Sequence, residues 1–322
     1  MKKLKGKVAV VAGATRGTGR GIACALGEAG ATVYCTGRST RENRPARRPN
    51  RAAPFDLANR PETIEETAEM VTARGGKGIH VQVDHTSEEQ VAALFKRVKK
   101  ERRRLDILVN DVWGGDELTE WKPFWKLSAE KGLLMLRRAV FSHIITSRHA
   151  APLMVEQKRG LIVEVTDGDG LNYRGALFYD LVKVSVIRLA FDMAEELRRH
   201  KVAAVALTPG FLRSEAMLEH MGVTEENWRE GAKKTVSFIE SETPLFAGRA
   251  VAALAADPKV LSKSGKVLSS WNLAREYGFK DADGRQPMFA EWAQENMPGF
   301  LEKMRDSERR FCEVGSIFAT SK

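Results

Sequence analysis

The chain has 322 residues, of which 43% are hydrophobic and 29% charged, and it contains 27 glycines and 11 prolines. This composition excludes collagen-like and disordered chains, because it supplies enough apolar area to offset the entropy lost on folding. The net charge of +10 suits an anionic partner without saying which one, and the three cysteines are too far apart to indicate a disulfide framework or a zinc site.

No stretch reaches the ~18 consecutive apolar residues that a membrane-spanning helix needs. The N-terminal apolar run becomes glycine-rich before a signal-peptide core develops. The sequence therefore predicts a cytoplasmic protein without a membrane span.

Short apolar runs alternate with longer amphipathic stretches, which predicts parallel strands covered by helices. The predicted strands are Val8–Ala12, Ala31–Thr36, Ile79–Val83, Ile107–Asn110, Leu161–Thr166, Ala203–Leu207 and Lys266–Leu268. The predicted helices are Gly19–Ala29, Pro61–Arg74, Glu88–Glu101, Ala129–Glu156, Leu177–Arg199 and Pro244–Ala256. We predict one α/β domain over residues 1–284, a doubly wound Rossmann-type sheet of seven parallel strands flanked by helices.

Two stretches do not fit this alternation. An Arg/Pro-rich insertion follows the second strand, from Ser39 to Asn59, and a helical extension occupies residues 285–322. The extension has a weakly amphipathic pattern that could cover the end of the sheet, a neighbouring subunit or a membrane surface. We favour a protein surface.

A glycine-rich turn of the form GxxxGxG links the first strand to the first helix. Glycine lets the backbone approach a ligand closely and the helix N-terminus attracts anions, so the natural occupant is a pyrophosphate. The second strand ends in Arg38 with no acidic residue for a ribose 2′-hydroxyl, so Arg16 and Arg38 favour NADP(H) over NAD(H). The predicted cofactor residues here are Gly13, Thr15, Arg16, Gly17, Thr18, Gly19, Arg38 and Ser39.

Tyr179 and Lys183 are four residues apart in a predicted helix, which places a phenol and an ammonium on one face. The cation is expected to lower the pKa of the phenol. Such a pair can donate a proton to a carbonyl oxygen as a hydride arrives, or accept one in the reverse direction.

Together these motifs resemble the short-chain dehydrogenase/reductase family over about residues 5–285, and later segments resemble its dehydrogenase/reductase member 1 subgroup and bacterial relatives. The remaining landmarks that match the family are Asp84 and the adjacent His85, Asn110, and the nicotinamide-side loop with Pro209, Gly210, Phe211 and Ser214. The resemblance implies a nicotinamide-dependent oxidoreductase that assembles into a homodimer or homotetramer.

The accessory catalytic positions depart from the family. Its serine falls by strand register on Asp167, while Thr166 has the usual spacing from Tyr179, so either residue could orient the substrate. The family's relay asparagine aligns with Ala139. An ionised Asp167 would repel a developing alkoxide, so its carboxyl must be protonated, turned away or used otherwise. A proton shared with Asp169 would make Asp167 a donor, unless Asp169 is only a turn residue.

Large side chains in the loops after the strands predict an apolar wall for a bulky substrate. The candidates are Trp113, Tyr173, Phe178, Phe211, Met217 and Met221, with Trp271 as a structural residue. The arginines from Arg38 to Arg51 lack interleaved aromatic residues, so we expect them to close over a 2′-phosphate and expect no nucleic-acid partner.

The sequence therefore predicts an NADPH-dependent carbonyl reductase for a hydrophobic small-molecule substrate such as a ketone, quinone or steroid-like compound. Two alternatives stay open. One is an NADP(H)-binding sensor or subunit in which hydride transfer is lost, and the other is a reductase of C=C or C=N bonds.

Overall fold

The computed structural model describes residues 3–43 and 60–312. Seven parallel strands form one sheet in the order β3-β2-β1-β4-β5-β6-β7, which confirms the predicted α/β fold class. The strands are β1 (Val8–Ala12), β2 (Thr32–Gly37), β3 (Lys77–Gln82), β4 (Ile107–Asn110), β5 (Gly160–Val165), β6 (Val202–Thr208) and β7 (Val267–Ser269). Most of the Arg-rich insertion, including Arg44, Arg47, Arg48 and Arg51, lies outside the described residues.

Helices cover both faces of the sheet and its carboxyl edge. They are α1 (Gly17–Glu28), α2 (Ile64–Ala73), α3 (Glu88–Arg102), α4 (Ala129–Leu136), α5 (Ser142–Glu156), α6 (Leu177–Leu197), α7 (Glu215–Met221), α8 (Pro244–Ala256), α9 (Ser270–Tyr277), α10 (Phe289–Asn296) and α11 (Pro298–Cys312). Within residues 3–43 and 60–312, no helix is long and apolar enough to cross a membrane.

The main differences from the predicted elements lie at helix boundaries. The second helix begins at Ile64 rather than Pro61, because the Thr63 hydroxyl accepts the Glu66 N–H and caps it there. The predicted helix Ala129–Glu156 contains a π-helical turn that separates α4 from α5. The sequence pattern missed the short helices α7 and α9, whereas α10 and α11 lie in the predicted helical extension.

Successive side chains along each strand face two different apolar layers, one on each side of the sheet. Ala9 and Val11 of β1 face the layer that contains α1 and α8, whereas Val8 and Val10 face the layer of α3, α5 and α6. Every residue of β1 is buried, as expected for a parallel strand covered on both sides.

The order of the strands reverses at the centre of the sheet. β1 leads outward through β2 and β3, while β4 begins the other half on its opposite side. A crevice opens at the carboxyl ends of strands at such a reversal, and α/β proteins bind ligands there.

Candidate active site

A cavity of about 1050 Å³ lies at this crevice. It extends from the glycine turn after β1 to the residues that follow β5 and β6. The predicted site residues that line it are Gly13, Thr15, Arg16, Gly17, Thr18, Arg38, Ser39, Asp84, His85, Thr166, Asp167, Tyr179, Lys183, Pro209, Gly210, Phe211 and Ser214. Gly19 and Asn110, which were also predicted, lie beneath this lining.

The glycine turn fits a pyrophosphate through its backbone. Gly13 has φ +89°, and a Cβ there would lie 2.5 Å from the Asp111 carbonyl oxygen, so only glycine fits. The first turn of α1 has no acidic residue of its own, which leaves its positive end suited to an anion. The Glu215 carboxylate, 2.9 Å from the Gly17 nitrogen, would compete with a phosphate for that N–H.

The two arginines at the adenosine end are each beside a carboxylate. Arg16 Nε lies 3.2 Å from Glu62, and Arg38 lies 3.9 Å from Asp84. Burial lowers the pKa of Arg16, although the Glu62 charge opposes this change. Both side chains line the cavity, so either could turn from its partner towards a phosphate.

Both ring nitrogens of His85 form hydrogen bonds with buried threonine hydroxyls. Nε2 lies 2.8 Å from the Thr36 hydroxyl and Nδ1 lies 2.9 Å from the Thr146 hydroxyl. Complete burial lowers its pKa to about 3, so the ring is neutral. Its contact with a nucleotide would therefore be through the ring face.

At the other end of the cavity, Asp167 meets the phenol of Tyr179. β5 ends at Val165, and the Tyr179 hydroxyl on α6 donates a hydrogen bond to Asp167 Oδ2. The Thr166 hydroxyl is buried and donates instead to the Lys183 carbonyl oxygen at 2.9 Å. Of the two residues left open by the sequence, the structure brings the Asp167 side chain to the phenol.

This contact changes the expected acidity of Tyr179. Burial raises the pKa of the phenol, and the charge and hydrogen bond of Asp167 raise it further. The expectation that Lys183 would lower this pKa is wrong for this site, because a carboxylate lies directly on the hydroxyl and opposes the phenolate.

The ammonium of Lys183 lies over an aromatic face. Its Nζ is 4.2 Å from the centre of the Trp113 ring and 5.5 Å from that of Tyr179. Burial lowers the pKa of Lys183, while the charges of Asp167, Asp116 and Asp111 oppose that effect. A cation–π contact stabilises the ammonium in such a dry site.

A second carboxyl close to Lys183 was not predicted as a site residue. Asp111 directly follows Asn110, where the short-chain dehydrogenase/reductases that the sequence resembles have a second asparagine, and burial raises the pKa of Asp111 to about 7. The charge of Lys183 and a hydrogen bond from the Gly19 N–H oppose this rise. The departure from the family pattern was the visible signal for this residue.

Asn110 belongs to a buried polar network beneath the cavity. Its Nδ2 donates to Glu164 Oε1 at 2.7 Å and to the Ser147 hydroxyl at 2.9 Å. The other Glu164 oxygen lies 2.6 Å from His143 Nδ1. This network fixes the ends of β4 and β5, so Asn110 acts on the site through its neighbours.

Glu242 supports the loop at Pro209 and Gly210, and the sequence did not identify it. Its Oε2 accepts the Gly210 N–H at 2.9 Å and the Ser270 hydroxyl at 2.6 Å. Oε1 is buried without a hydrogen-bond partner among the described residues. Complete burial raises the pKa of this carboxyl to about 8.

The apolar wall is only partly the predicted one. Trp113, Tyr173, Phe211 and Met217 line the cavity. Phe178 packs instead against the cluster around Met135, and Met221 packs with Trp228 and Phe238. Further lining residues that were not predicted are Trp121, Phe289, Phe300, Leu301 and Met304.

The fold and this cavity define a Rossmann-type protein with a site at the carboxyl edge of its sheet. The sequence profile of the short chain dehydrogenase family matches residues 46–222. The chain is 37% identical over 318 residues to dehydrogenase/reductase SDR family member 1 of Mus musculus, covering 92% of this chain and 94% of that protein. It is 29% identical over 222 residues to 7alpha-hydroxysteroid dehydrogenase of Clostridium sardiniense, covering 69% of this chain and 76% of that protein.

A solved short chain dehydrogenase from Mycobacterium thermoresistibile has a TM-score of 0.70 at 20% identity, covering 88% of this chain and 91% of that chain. That similarity concerns the fold alone. The sequence matches show that the chain belongs to the short-chain dehydrogenase family, whose members are NAD(P)(H)-dependent oxidoreductases. The predicted resemblance to the member 1 subgroup is confirmed.

Proposed function

We propose that this protein is an NADPH-dependent reductase that adds a hydride to the carbonyl carbon of a bulky hydrophobic small molecule. One observation carries the proposal: a single cavity joins the glycine turn to the Tyr179–Lys183 pair and has a mainly apolar wall between them. The relative named for a 7alpha-hydroxysteroid supports a substrate of this size and polarity.

In the proposed reaction, a nicotinamide nucleotide held by the glycine turn would supply the hydride. Tyr179 gives its phenolic proton to the substrate oxygen, so that a carbonyl becomes an alcohol and a phenolate remains. The Lys183 ammonium, whose Nζ lies 5.5 Å from the centre of the Tyr179 ring, stabilises that phenolate by its charge. The phenolate then regains a proton from solvent before the next turnover.

The preference for NADPH rests on the residues around the end of β2. Arg38 and Ser39 follow that strand and line the cavity, and Arg16 lines it from the glycine turn. A guanidinium pairs with a 2′-phosphate through two hydrogen bonds, whereas a carboxylate in its place would repel one.

The contact between Tyr179 and Asp167 favours a second candidate, the reduction of a C=C or C=N bond. Protonation at carbon or nitrogen creates no alkoxide beside the carboxyl, so an ionised Asp167 is less unfavourable there. Comparing turnover of enones and imines with turnover of ketones separates this reaction from carbonyl reduction.

The proposal is tested by measuring NADPH oxidation by the purified protein with ketones, quinones, enones and imines, and with NADH in parallel. We expect ketone turnover that favours NADPH and falls by about 10²- to 10⁴-fold in Tyr179→Phe, since that variant cannot donate the proton. Turnover of enones or imines alone would select the second candidate. Tight NADPH binding without any turnover would instead support the sensor or subunit.

We also propose a homodimer or homotetramer assembled through α4, α5 and α6. Leu133, Ile144 and Phe191 on these helices, and Phe141 in the turn between α4 and α5, are large, apolar and exposed in the single chain. Light scattering should give two or four times the mass of 35.8 kDa.

A further inference from the structure

The C-terminal helix α11 forms part of the cavity wall at its catalytic end. Phe300, Leu301 and Met304 from this helix line the same cavity as Tyr179 and Asp167. Phe289 and Ala293 of the preceding helix α10 line it as well. The chain thus returns over its own active site after the last strand of the sheet.

One face of α11 is turned towards the site. Leu301, Met304 and Glu308 are three and four residues apart, which places them on one side of a helix, and each is half-buried. The charged residues Glu302 and Lys303 are exposed. This division explains the weak amphipathic pattern in the sequence.

Two side chains fasten α11 to the loop after β5. Glu308 Oε1 accepts the Leu171 N–H at 2.9 Å, and the Ser307 hydroxyl accepts the Tyr173 N–H at 3.0 Å. Gly170 permits the approach, because a Cβ there would lie 3.1 Å from Glu308 Oε1. Both acceptors satisfy backbone donors that a loop of this kind would otherwise give to water.

The same loop begins at the residue that contacts Tyr179. Arg174 at the far end of the loop bonds back to its backbone, with Nε 2.7 Å from the Asp167 carbonyl oxygen and a terminal nitrogen 2.8 Å from the Gly170 carbonyl oxygen. Both α11 and Arg174 therefore hold this loop, and the loop connects the apolar residues of α11 to Asp167.

We propose that α11 is the specificity-determining wall of this site, in which Leu301 and Met304 contact the apolar body of the substrate. The inference rests on the proposed function and adds that the helix selects bulky polycyclic or aromatic carbonyl compounds over small ones. A substrate too short to reach α11 loses these contacts, whereas a large apolar substrate buries both side chains.

The test compares the wild type with the double variant Leu301→Ala/Met304→Ala on a steroidal ketone and on cyclohexanone. For the steroidal ketone we expect kcat/KM to fall by about 10-fold or more, mainly through KM, because buried methylene contacts are removed. For cyclohexanone the change should stay within about 2-fold. Phe311→Ala is the matched control, since Phe311 is on the same helix but 61% exposed.

Equal losses for the two ketones, or no loss for the steroidal ketone, would overturn the proposal. An unchanged Kd for NADPH shows that the variant is folded, and the volume-conserving swap Leu301→Met/Met304→Leu should retain most of the activity. If neither alanine nor swapped variant folds, Met304→Ala alone takes their place with the same two ketones.

A separate measurement distinguishes failure of this inference from failure of the proposed function. If the wild type reduces neither ketone, carbonyl reduction is wrong, and calorimetry then gives the Kd of the steroidal ketone for the NADPH-saturated protein. A Kd about 10-fold higher in the double variant would still support the proposal that Leu301 and Met304 contact the ligand. Equal Kd values, or no binding to the wild type, would refute it.

Discussion

The two ends of the cavity are built by different means. At the adenosine end, the glycine turn depends on backbone shape, and Gly13 fits because any larger residue would meet the Asp111 carbonyl. At the catalytic end, carboxyl groups surround the reacting side chains, with Asp167 on Tyr179 and Asp111 near Lys183. Steric requirements thus define the glycine turn, whereas charge defines the catalytic end.

This difference indicates how the site can change in evolution. A backbone turn tolerates almost no substitution, because the clash is independent of the rest of the site. A charged cluster can be rearranged, since one carboxyl can be offset by a nearby ammonium or by a bound proton. We therefore expect the glycine turn to respond to size and the catalytic end to respond to pH.

The largest effect is expected from Gly13→Ala. The new methyl group would lie 2.5 Å from a backbone oxygen at a residue with φ +89°, so strain and clash add. We expect the free energy of unfolding to fall by about 3 kcal/mol or more, measured by urea denaturation.

Gly6→Ala is the matched control for this prediction. Gly6 has φ +80° but no neighbour within 4 Å of the added Cβ, so it tests conformational strain alone. Its cost should be about 1 kcal/mol. Equal losses in the two variants would mean that the contact with Asp111 does not define the turn.

The same contrast explains what could be predicted from the sequence. The seven strands and the glycine turn were readable because apolar runs and glycine spacing reflect local backbone requirements. The contact between Asp167 and Tyr179 could not be predicted, because strand register and residue spacing left both Asp167 and Thr166 as candidates for the position beside the phenol. The return of α11 over the cavity depends on side-chain contacts between distant parts of the chain, such as Glu308 with Leu171.

A second prediction concerns the buried carboxyl of Glu242 below Gly210. Burial raises its pKa to about 8 from an ordinary value of 4.5, so the folded protein holds a proton there that the unfolded chain has released. The contribution of Glu242 to the stability of the wild type should therefore be lost as the pH rises from about 4.5 to 8. Glu242→Gln does not titrate, so its stability relative to the wild type should improve by a few kcal/mol over that range.

Thermal unfolding of both proteins at several pH values measures this difference. Glu276→Gln serves as the control, because Glu276 is an exposed carboxylate paired with Lys263. A constant difference between Glu242→Gln and the wild type across the range would show that Glu242 does not carry a buried proton.

A third prediction tests the effect of the Asp167 charge on the acidity of Tyr179. Asp167→Asn removes the carboxylate whose charge and hydrogen bond raise the pKa of the phenol, so that pKa should fall. Reduction needs the protonated phenol, so the loss of activity at high pH should begin about one pH unit or more lower than in the wild type. The measurement is the pH dependence of kcat for ketone reduction.

Asp169→Asn is the control for the third prediction, because Asp169 is exposed on the same loop. The Asp169→Asn variant should lose its activity at the same high pH as the wild type. A matching shift in Asp169→Asn would instead support the hypothesis that the two aspartates share a proton.

The smallest effect is expected from Trp113→Leu, which removes the aromatic face 4.2 Å from Lys183 Nζ. Burial already lowers the pKa of this lysine, and loss of the cation–π contact should lower it further, by about 0.7 unit for a contact worth about 1 kcal/mol. The titration can be followed by NMR of ¹³C-labelled lysine, with the signal assigned through Lys183→Met. Trp125→Leu removes a 71% exposed tryptophan and should leave the titration unchanged. If Trp113→Leu also leaves it unchanged, the nearby carboxylates alone hold the ammonium, and charge rather than aromatic contact defines the catalytic end.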